Sequence, residues 1–488
     1  MQTTSPALRN GFKGLEAYQQ PGYHLLPFKI ISLDSGRSVL TNLAGEPLVV
    51  QTQKMEELVS HSLPRTDPIY LDLKARHFLF DGDSSAAVEL LAAKYRTKQA
   101  YLKEFTSLHI FVISLRCDHS CHYCQVSRVS EDRMAFDMSP ETASKSVDLM
   151  LESPSKYLKV EFQGGEALLN FDIIKRIVSE VEAKAEGRSV EFVIATNLSF
   201  LTDEILQFAG DHKIRFSCSL DGPQDLHNRN RPRPENDSYQ RTVAGITRIR
   251  QKLGNDFVSA LMTTTAESLD RAEEIVDEYL KQGFHSVFLR WISPFGFAVR
   301  SNTKIGYDTE RFLSFYRRGL EYILKLNLEG TFFREEYARI ILQKVLTPYS
   351  PGYVDLQSPA GLGLSVLVYS YNGDVYASDE SRMLAEMNDF TFRLGNVHRN
   401  SYSEIFLKSP LLETVFDTVL EGLPGCSECA FSHYCGTDPV YNHATQGSVI
   451  GHRPTSSFCR RNMEIIRYLI KVLEQNDEKS RVLRRWVS

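Results

Sequence analysis

Between Leu108 and Ile292 the chain alternates six times between a short apolar run and a longer amphipathic stretch. The apolar runs are LHIFVISL, YLKVEFQ, VEFVIATN, IRFSCSL, FVSALMTTT and SVFLRWI. Each has the length and the β-branched or aromatic content of a strand, and the stretches between them have helical period. Strands separated by helices pair in parallel through right-handed crossovers, which brings their C-terminal ends to one face of the sheet. Six such units fall short of the eight that close a full barrel. The prediction for residues 106–345 is therefore an α/β fold, a partial (β/α)6 TIM-like barrel. The helix starts are legible too. Ser139, followed by Pro140, is an expected N-cap, as are Asn170, Thr202, Ser238 and Ser268; Gly254 and Gly283 fit helix ends.

The flanking segments have a different texture. In residues 1–105, FKIISLDSGRSVLTNLAGEPLVV reads as three strands with turns at Ser35-Gly36 and Ala44-Gly45, and three helical patterns follow it. In residues 346–488, SPAGLGLSVLVYSYNGDVYASDE reads as a hairpin turning at Asn372-Gly373. A helix is expected from about Asn462, ending in a solvated basic tail, KSRVLRRWVS.

Cysteine placement narrows the chemistry. Of 8 cysteines, seven fall in two groups, Cys117/Cys121/Cys124 and Cys426/Cys429/Cys435/Cys459, and Cys218 stands apart as an expected core residue. The start, MQTTSPALRNGFKG, lacks the apolar stretch of a secretory signal, and no run has the ~18 apolar residues of a membrane span. The cytosol is thus the expected compartment, where clustered cysteines are metal ligands rather than disulfides. A net charge of -5 gives no reason to expect nucleic acid or a membrane surface as partner.

The first group is spaced C-x₃-C-x₂-C and follows directly on the first barrel strand. Three thiolates can hold three corners of a [4Fe–4S] cube and leave one iron open to another ligand. A zinc site completed by His119 or His122 is the competing reading, and three buried thiols a third. The second group supplies four ligands, enough for a closed structural or electron-carrying site; zinc fits its spacing as well.

The C-x₃-C-x₂-C run, with Tyr123 before its last cysteine, resembles the radical S-adenosylmethionine (SAM) superfamily. FQGGEALL, IATNLSFL and CSLDGPQDLHNRNRP end the next three strands, and the last matches the SxDGP pattern of peptide-modifying members. The resemblance implies SAM bound to the open iron and a 5′-deoxyadenosyl radical that abstracts hydrogen. It implies SAM contacts at Gly164, Gly165, Glu166, Thr196, Asn197, Ser219 and Arg231, with Arg229 competing for the last role. Asp221 is a candidate general base, and Arg290 and Phe295 candidate pocket residues. The second group resembles a SPASM or twitch-like iron–sulfur domain, with Pro439 and Ser378 where a first auxiliary cluster has cysteines, which implies one auxiliary [4Fe–4S] cluster. The N-terminal order resembles a winged-helix RiPP recognition element (RRE), a leader-peptide binder; a capping or dimerisation subdomain is the other reading. The whole chain is most similar to His-Xaa-Ser system radical SAM maturases. That implies a ribosomal precursor peptide as substrate, a second radical SAM partner, small accessory proteins and a flavodoxin- or ferredoxin-type electron donor. A sulfatase-maturase-like enzyme forming formylglycine and a non-catalytic, zinc-stabilised peptide-binding scaffold are the alternatives.

Overall fold

In the computed structural model the described residues are 22–487, except 83, 104, 125–131 and 410. The start of the chain, on which the reading of a missing signal rests, lies outside them. Two compact units meet at Lys98/Gln99 in the sequence.

In the first unit β1 (Phe28–Ser32), β2 (Arg37–Asn42) and β3 (Pro47–Gln51) form an antiparallel sheet in chain order. The Ala44-Gly45 turn is local chemistry: Asn42 Oδ1 accepts from the Ala44 and Glu46 amides at 2.9 and 3.1 Å, and Gly45 takes φ +76°. Helices α1 (Thr52–Val59), α2 (Pro68–Ala75) and α3 (Ala86–Lys98) follow, with Asp67 capping α2 just before Pro68. Tyr23, Leu40, Leu58, Tyr70, Leu73 and Phe78 are buried together in its core. Each contributes roughly 1.5–3 kcal/mol of apolar stabilisation.

The second unit is built on the expected parallel sheet. β4 (Leu108–Ser114), β5 (Tyr157–Gly164), β6 (Ser189–Thr196), β7 (Arg215–Ser219) and β8 (Val258–Leu261) lie side by side in that order. Between them come α4 (Pro140–Leu151), α5 (Phe171–Lys184), α6 (Asp203–Asp211), α7 (Gln224–Asn230) and α8 (Ser238–Leu253), with α9 (Ala272–Lys281) after β8. The sixth run departs from the prediction. Only Ser286–Val287 is strand, and it pairs in parallel with Arg334–Glu335 rather than with β8. Beyond it the Thr264 amide still donates to the Arg290 carbonyl at 2.8 Å, and the chain turns only at Pro294 and at Gly296, which takes φ +61°. On the other side, β9 (Val366–Tyr369) joins β4 in parallel, and β10 (Asp374–Tyr376) and β11 (Arg393–Asn396) extend the sheet antiparallel. The Asn372-Gly373 hairpin forms as read. Its docking onto the barrel sheet, which makes an eight-stranded mixed sheet, was not legible.

Ser139 and Thr202 cap α4 and α6 through side-chain bonds of 3.1 and 3.2 Å. Three other caps are corrected. Asn170 precedes α5, but its amide donates to the Ile113 carbonyl at 3.0 Å. Ser238 is the first residue of α8, and its hydroxyl lies between His119 and His227. Ser268 sits in a one-turn helix boxed with Thr265, three residues ahead of α9. In each case a nearby partner outcompetes the helix's first amides.

Beyond the barrel come α10 (Thr309–Leu328), α11 (Glu336–Leu346), α12 (Ser457–Gln475) and α13 (Glu478–Arg485). The basic C-terminus is not a solvated tail. Val482, Leu483 and Trp486 are 2%, 0% and 3% exposed, because they fall on one face of α13 while its arginines fall on the other. Among the described residues, no helix is long and apolar enough to cross a membrane.

Candidate functional site

The strand ends converge through backbone packing. Arg116, just past β4, donates from Nε and Nη2 to the two oxygens of Asp137 at 2.7 Å each, and this bidentate pair fixes the start of the first cysteine loop. Gly164 and Gly165 lie flat against that start. A Cβ on Gly164 would stand 2.2 Å from the Ser114 carbonyl oxygen, and one on Gly165 2.3 Å from that of Arg116. The close approach these glycines permit is thus first of all to protein backbone, where the sequence suggested a ligand.

Glu166 follows and is 1% exposed. Its carboxylate accepts from Thr196 Oγ1 at 2.6 Å, the Asn197 amide at 2.8 Å and the Leu168 amide at 3.0 Å. Burial pushes its pKa up to about 7, against the pull of those three donors. The carboxylate ties the end of β5 to the end of β6. Asn197 in turn donates from Nδ2 to Asp118 Oδ1 at 2.9 Å, with Cys117 Sγ at 3.9 Å.

Asp221 is fully buried and does not line the cavity described below. Its Oδ2 accepts from Tyr123 Oη at 2.6 Å and pairs with Arg231 Nε at 3.3 Å, while Oδ1 accepts from the Thr263 amide at 3.3 Å. The Arg231 guanidinium also lies 5.2 Å from the Tyr123 ring centre. Tyr123 stands between Cys121 and Cys124, so this network anchors the cysteine loop to the end of β7. Arg229 is excluded from it: exposed, it pairs with Glu267 at 2.6 Å.

Cys117, Cys121 and Cys124 open onto one cavity of about 860 Å³. Gly164, Gly165, Thr196, Asn197, Ser219, Arg231 and Arg290 line the same space; Cys218, 1% exposed, contributes to its wall from β7. Phe295 is buried outside it. Segment 292–305 closes over the loop. The Phe297 amide donates to the Cys124 carbonyl at 2.8 Å, and Ile292, Ala298 and Ile305 pack on Tyr123. Burial raises the Cys117 thiol well above its ordinary value and Cys121 to about 12, with the Arg231 charge opposing the rise at Cys121.

Three thiols on one cavity wall beside a buried guanidinium fit the three-corner cluster, whose irons would replace the thiol protons. Zinc fits less well. The donor atoms of Cys117, Asp118 and His119 lie within 4.8 Å of one another. Both His119 nitrogens, however, are engaged, with Asp118 at 2.8 Å and Ser238 at 2.7 Å.

Sequence reasoning missed the far wall of the cavity, where Asp355, Asp379 and Glu380 stand together. Burial pushes Glu380 up to about 8 and Asp438 up to about 7, and the Asp355 charge adds to the rise in both. Ser378 and Pro439 are neighbours of this wall in the chain. Ser378 caps helix 379–385 and Pro439 opens helix 439–446. The available signal was the acidic residue beside each of these positions.

The second cysteine group also converges. Burial raises Cys435 to about 12 and Cys459 to about 11; next in effect are Cys459 on Cys435, and Cys426 and Cys429 on Cys459. All four thiols are half-buried. Cys426 and Cys429 are joined by a 3.1 Å turn bond, and Cys459 lies in the first turn of α12, with its amide bonded to Ser456. Four thiols drawn together in this way fit a closed four-ligand site.

Residues 111–288, which hold the first cysteine loop and the ends of β5 to β8, match the profile of the Radical SAM superfamily. This segment is a radical SAM domain. Three curated relatives align with parts of the chain. An uncharacterised protein of Methanothermobacter thermautotrophicus is 30% identical over 37% of this chain. The radical SAM cyclopropyl synthase TigE of Paramaledivibacter caminithermalis is 23% identical over 33% of it, and the serine-type anaerobic sulfatase-maturating enzyme of Bacteroides thetaiotaomicron 26% identical over 29%. The chain spans 66%, 35% and 34% of their respective lengths. Two solved structures share the fold more widely. Native anSMEcpe with bound AdoMet superposes with TM-score 0.63 at 17% identity, over 76% of this chain and 99% of its own. Streptococcus suis SuiB bound to precursor peptide SuiA gives 0.53 at 14%, over 89% and 98%. At these identities the likeness is one of fold.

Proposed function

We propose that this chain is a radical SAM maturase that modifies a ribosomally made peptide of the His-Xaa-Ser type. The observation that carries the reading is the single cavity of about 860 Å³. It joins the three-thiol loop and Arg231 to an acidic wall, and its volume is at the upper end of ordinary ligand sites. That leaves room for a substrate side chain beside SAM.

Cys117, Cys121 and Cys124 would hold a [4Fe–4S] cluster at three corners. The backbone at Gly164–Gly165, the side chains of Thr196, Asn197 and Ser219, and the Arg231 guanidinium would receive SAM. When bound, cluster and SAM supply one-electron, hydrogen-abstracting chemistry. The protein's own work is placement. Glu166 braces Thr196 and the Asn197 backbone from behind, and Asp221 holds Arg231 and Tyr123 in position. Cys426, Cys429, Cys435 and Cys459 would hold one auxiliary cluster.

Residues 1–105 are assigned to leader-peptide binding, 106–345 to the radical SAM core, and 346–488 to the auxiliary-cluster region. The order of three strands followed by helices supports the first assignment. A second radical SAM protein, small accessory proteins and a flavodoxin- or ferredoxin-type donor in the cytosol complete the reading. Relatives named as sulfatase-maturating enzymes favour formylglycine formation as a second reading. Ser378 and Pro439, helix-starting residues at the expected positions of a further cluster, weigh against it.

The test is co-expression with a small neighbouring peptide, followed by mass spectrometry. A mass change confined to that peptide and lost in C121A is expected. An unmodified peptide together with formylglycine in a co-expressed sulfatase would replace the first reading with the second. Tight zinc, no iron and no SAM turnover would leave only a binding scaffold.

A further inference from the structure

Helix α11 has two working faces. Arg339, Ile340 and Gln343 line the cavity, while Lys344, 6% exposed, turns towards the second cysteine group. The Lys344 ammonium donates to the Cys435 carbonyl at 3.0 Å and to the Leu356 carbonyl. Leu356 immediately follows Asp355 of the acidic wall. Gly436 seals the junction: a Cβ there would stand 2.6 Å from the Asp355 carbonyl oxygen and from Leu356 Cα, so backbone lies directly on backbone. Lys344 therefore sits where the cysteine loop meets the cavity wall, and its charge acts on Cys435 as that of Arg453 acts on Cys459. Burying an ammonium is costly. Two carbonyl acceptors take hydrogen bonds from it and offset part of that cost.

Resting on the reading that Cys426, Cys429, Cys435 and Cys459 hold an iron–sulfur cluster, we propose that Lys344 tunes that cluster's reduction potential by placing a fixed positive charge beside Cys435. One-electron reduction adds a negative charge to the cluster, and a nearby cation in a low-dielectric site stabilises the reduced form. Lys344 is thus a tuning residue that acts through Cys435.

The experiment uses the full chain, reconstituted anaerobically with iron and sulfide in the C121A background so that the second group alone reports. K344Q keeps hydrogen-bonding capacity and removes the charge; K344R keeps the charge. Potentiometric titration followed by electron paramagnetic resonance should show K344Q with the parent's iron content and a midpoint shifted to more negative potential, and K344R near the parent. An unmoved midpoint at full iron content in K344Q overturns the inference. So does loss of iron in both variants, which makes the lysine structural. A C121A parent that binds no iron overturns the reading of the second group, and the inference with it.

Discussion

The Asp221–Arg231–Tyr123 network makes a prediction that separates a positioning carboxylate from a catalytic base. Asp221 is fully buried and the Arg231 side chain is 12% exposed, so neither charge has water to replace its partner. Asp221→Asn keeps the shape but removes the charge, and sets an amide against a guanidinium 3.3 Å away. Breaking one side of a buried pair costs about 3–5 kcal/mol. That is a large share of a typical stability of about 5–15 kcal/mol. Arg231→Met should cost a similar amount by stranding the carboxylate. The double variant should recover about 2 kcal/mol or more of the summed loss, since the two residues are directly coupled. Both tryptophans, Trp291 and Trp486, lie in the second unit, so fluorescence during denaturant unfolding reports on the part that holds the pair. D221N within ~1 kcal/mol of the wild type, or additive single losses, would refute the reasoning. A stable but inactive D221N would return Asp221 to the role of base.

Further outcomes follow from other parts of the chain. Cys121→Ala should abolish SAM cleavage and reduce reconstituted iron from about eight to about four atoms per chain, counted colorimetrically. Glu335 is fully buried; burial pushes its pKa from 4.5 up to about 7, while the Tyr316 hydroxyl and the backbone amides of Ala338, Leu289 and Tyr337 pull the other way. Folding therefore takes up a proton between those pH values, so this residue's contribution is present below pH 4.5 and is lost as pH rises to 7, an effect on the order of 3 kcal/mol. In unfolding measured across that range, Glu335→Gln should flatten the decline. Leu483→Ala should lower stability by about 2–5 kcal/mol in the same assay, whereas truncation of a side chain on a solvated tail would change it by less than ~0.5 kcal/mol.

Periodicity and capping chemistry carried the barrel: five of the six apolar runs became neighbouring parallel strands, and Ser139 and Thr202 cap the helices they precede. The signals that failed were those whose outcome depends on distant partners. Ser238 has the local chemistry of a cap, but two histidines claim its hydroxyl. Val482, Leu483 and Trp486 are too few to overcome the basic composition of their segment on paper, yet they find an apolar surface in the fold. The three-thiol loop was legible because its residues are close in sequence. The cavity's acidic wall was not, since Asp355 and Glu380 reach the cysteines only through the docking of β9 on β4 and the turn into helix 379–385. Asp221 was found as a polar residue at a strand end, but its burial, which decides whether it can meet a substrate, depends on Tyr123 and Arg231 folding over it.

On the proposed reading, Cys117, Cys121 and Cys124 leave one iron of a cube open to SAM. The direct measurement is electron paramagnetic resonance of the reduced, anaerobically reconstituted protein before and after SAM is added, with C121A as the reference. A signal that is absent from C121A and changes shape when SAM binds is expected. A spectrum indifferent to SAM, or one identical in C121A, would contradict that reading.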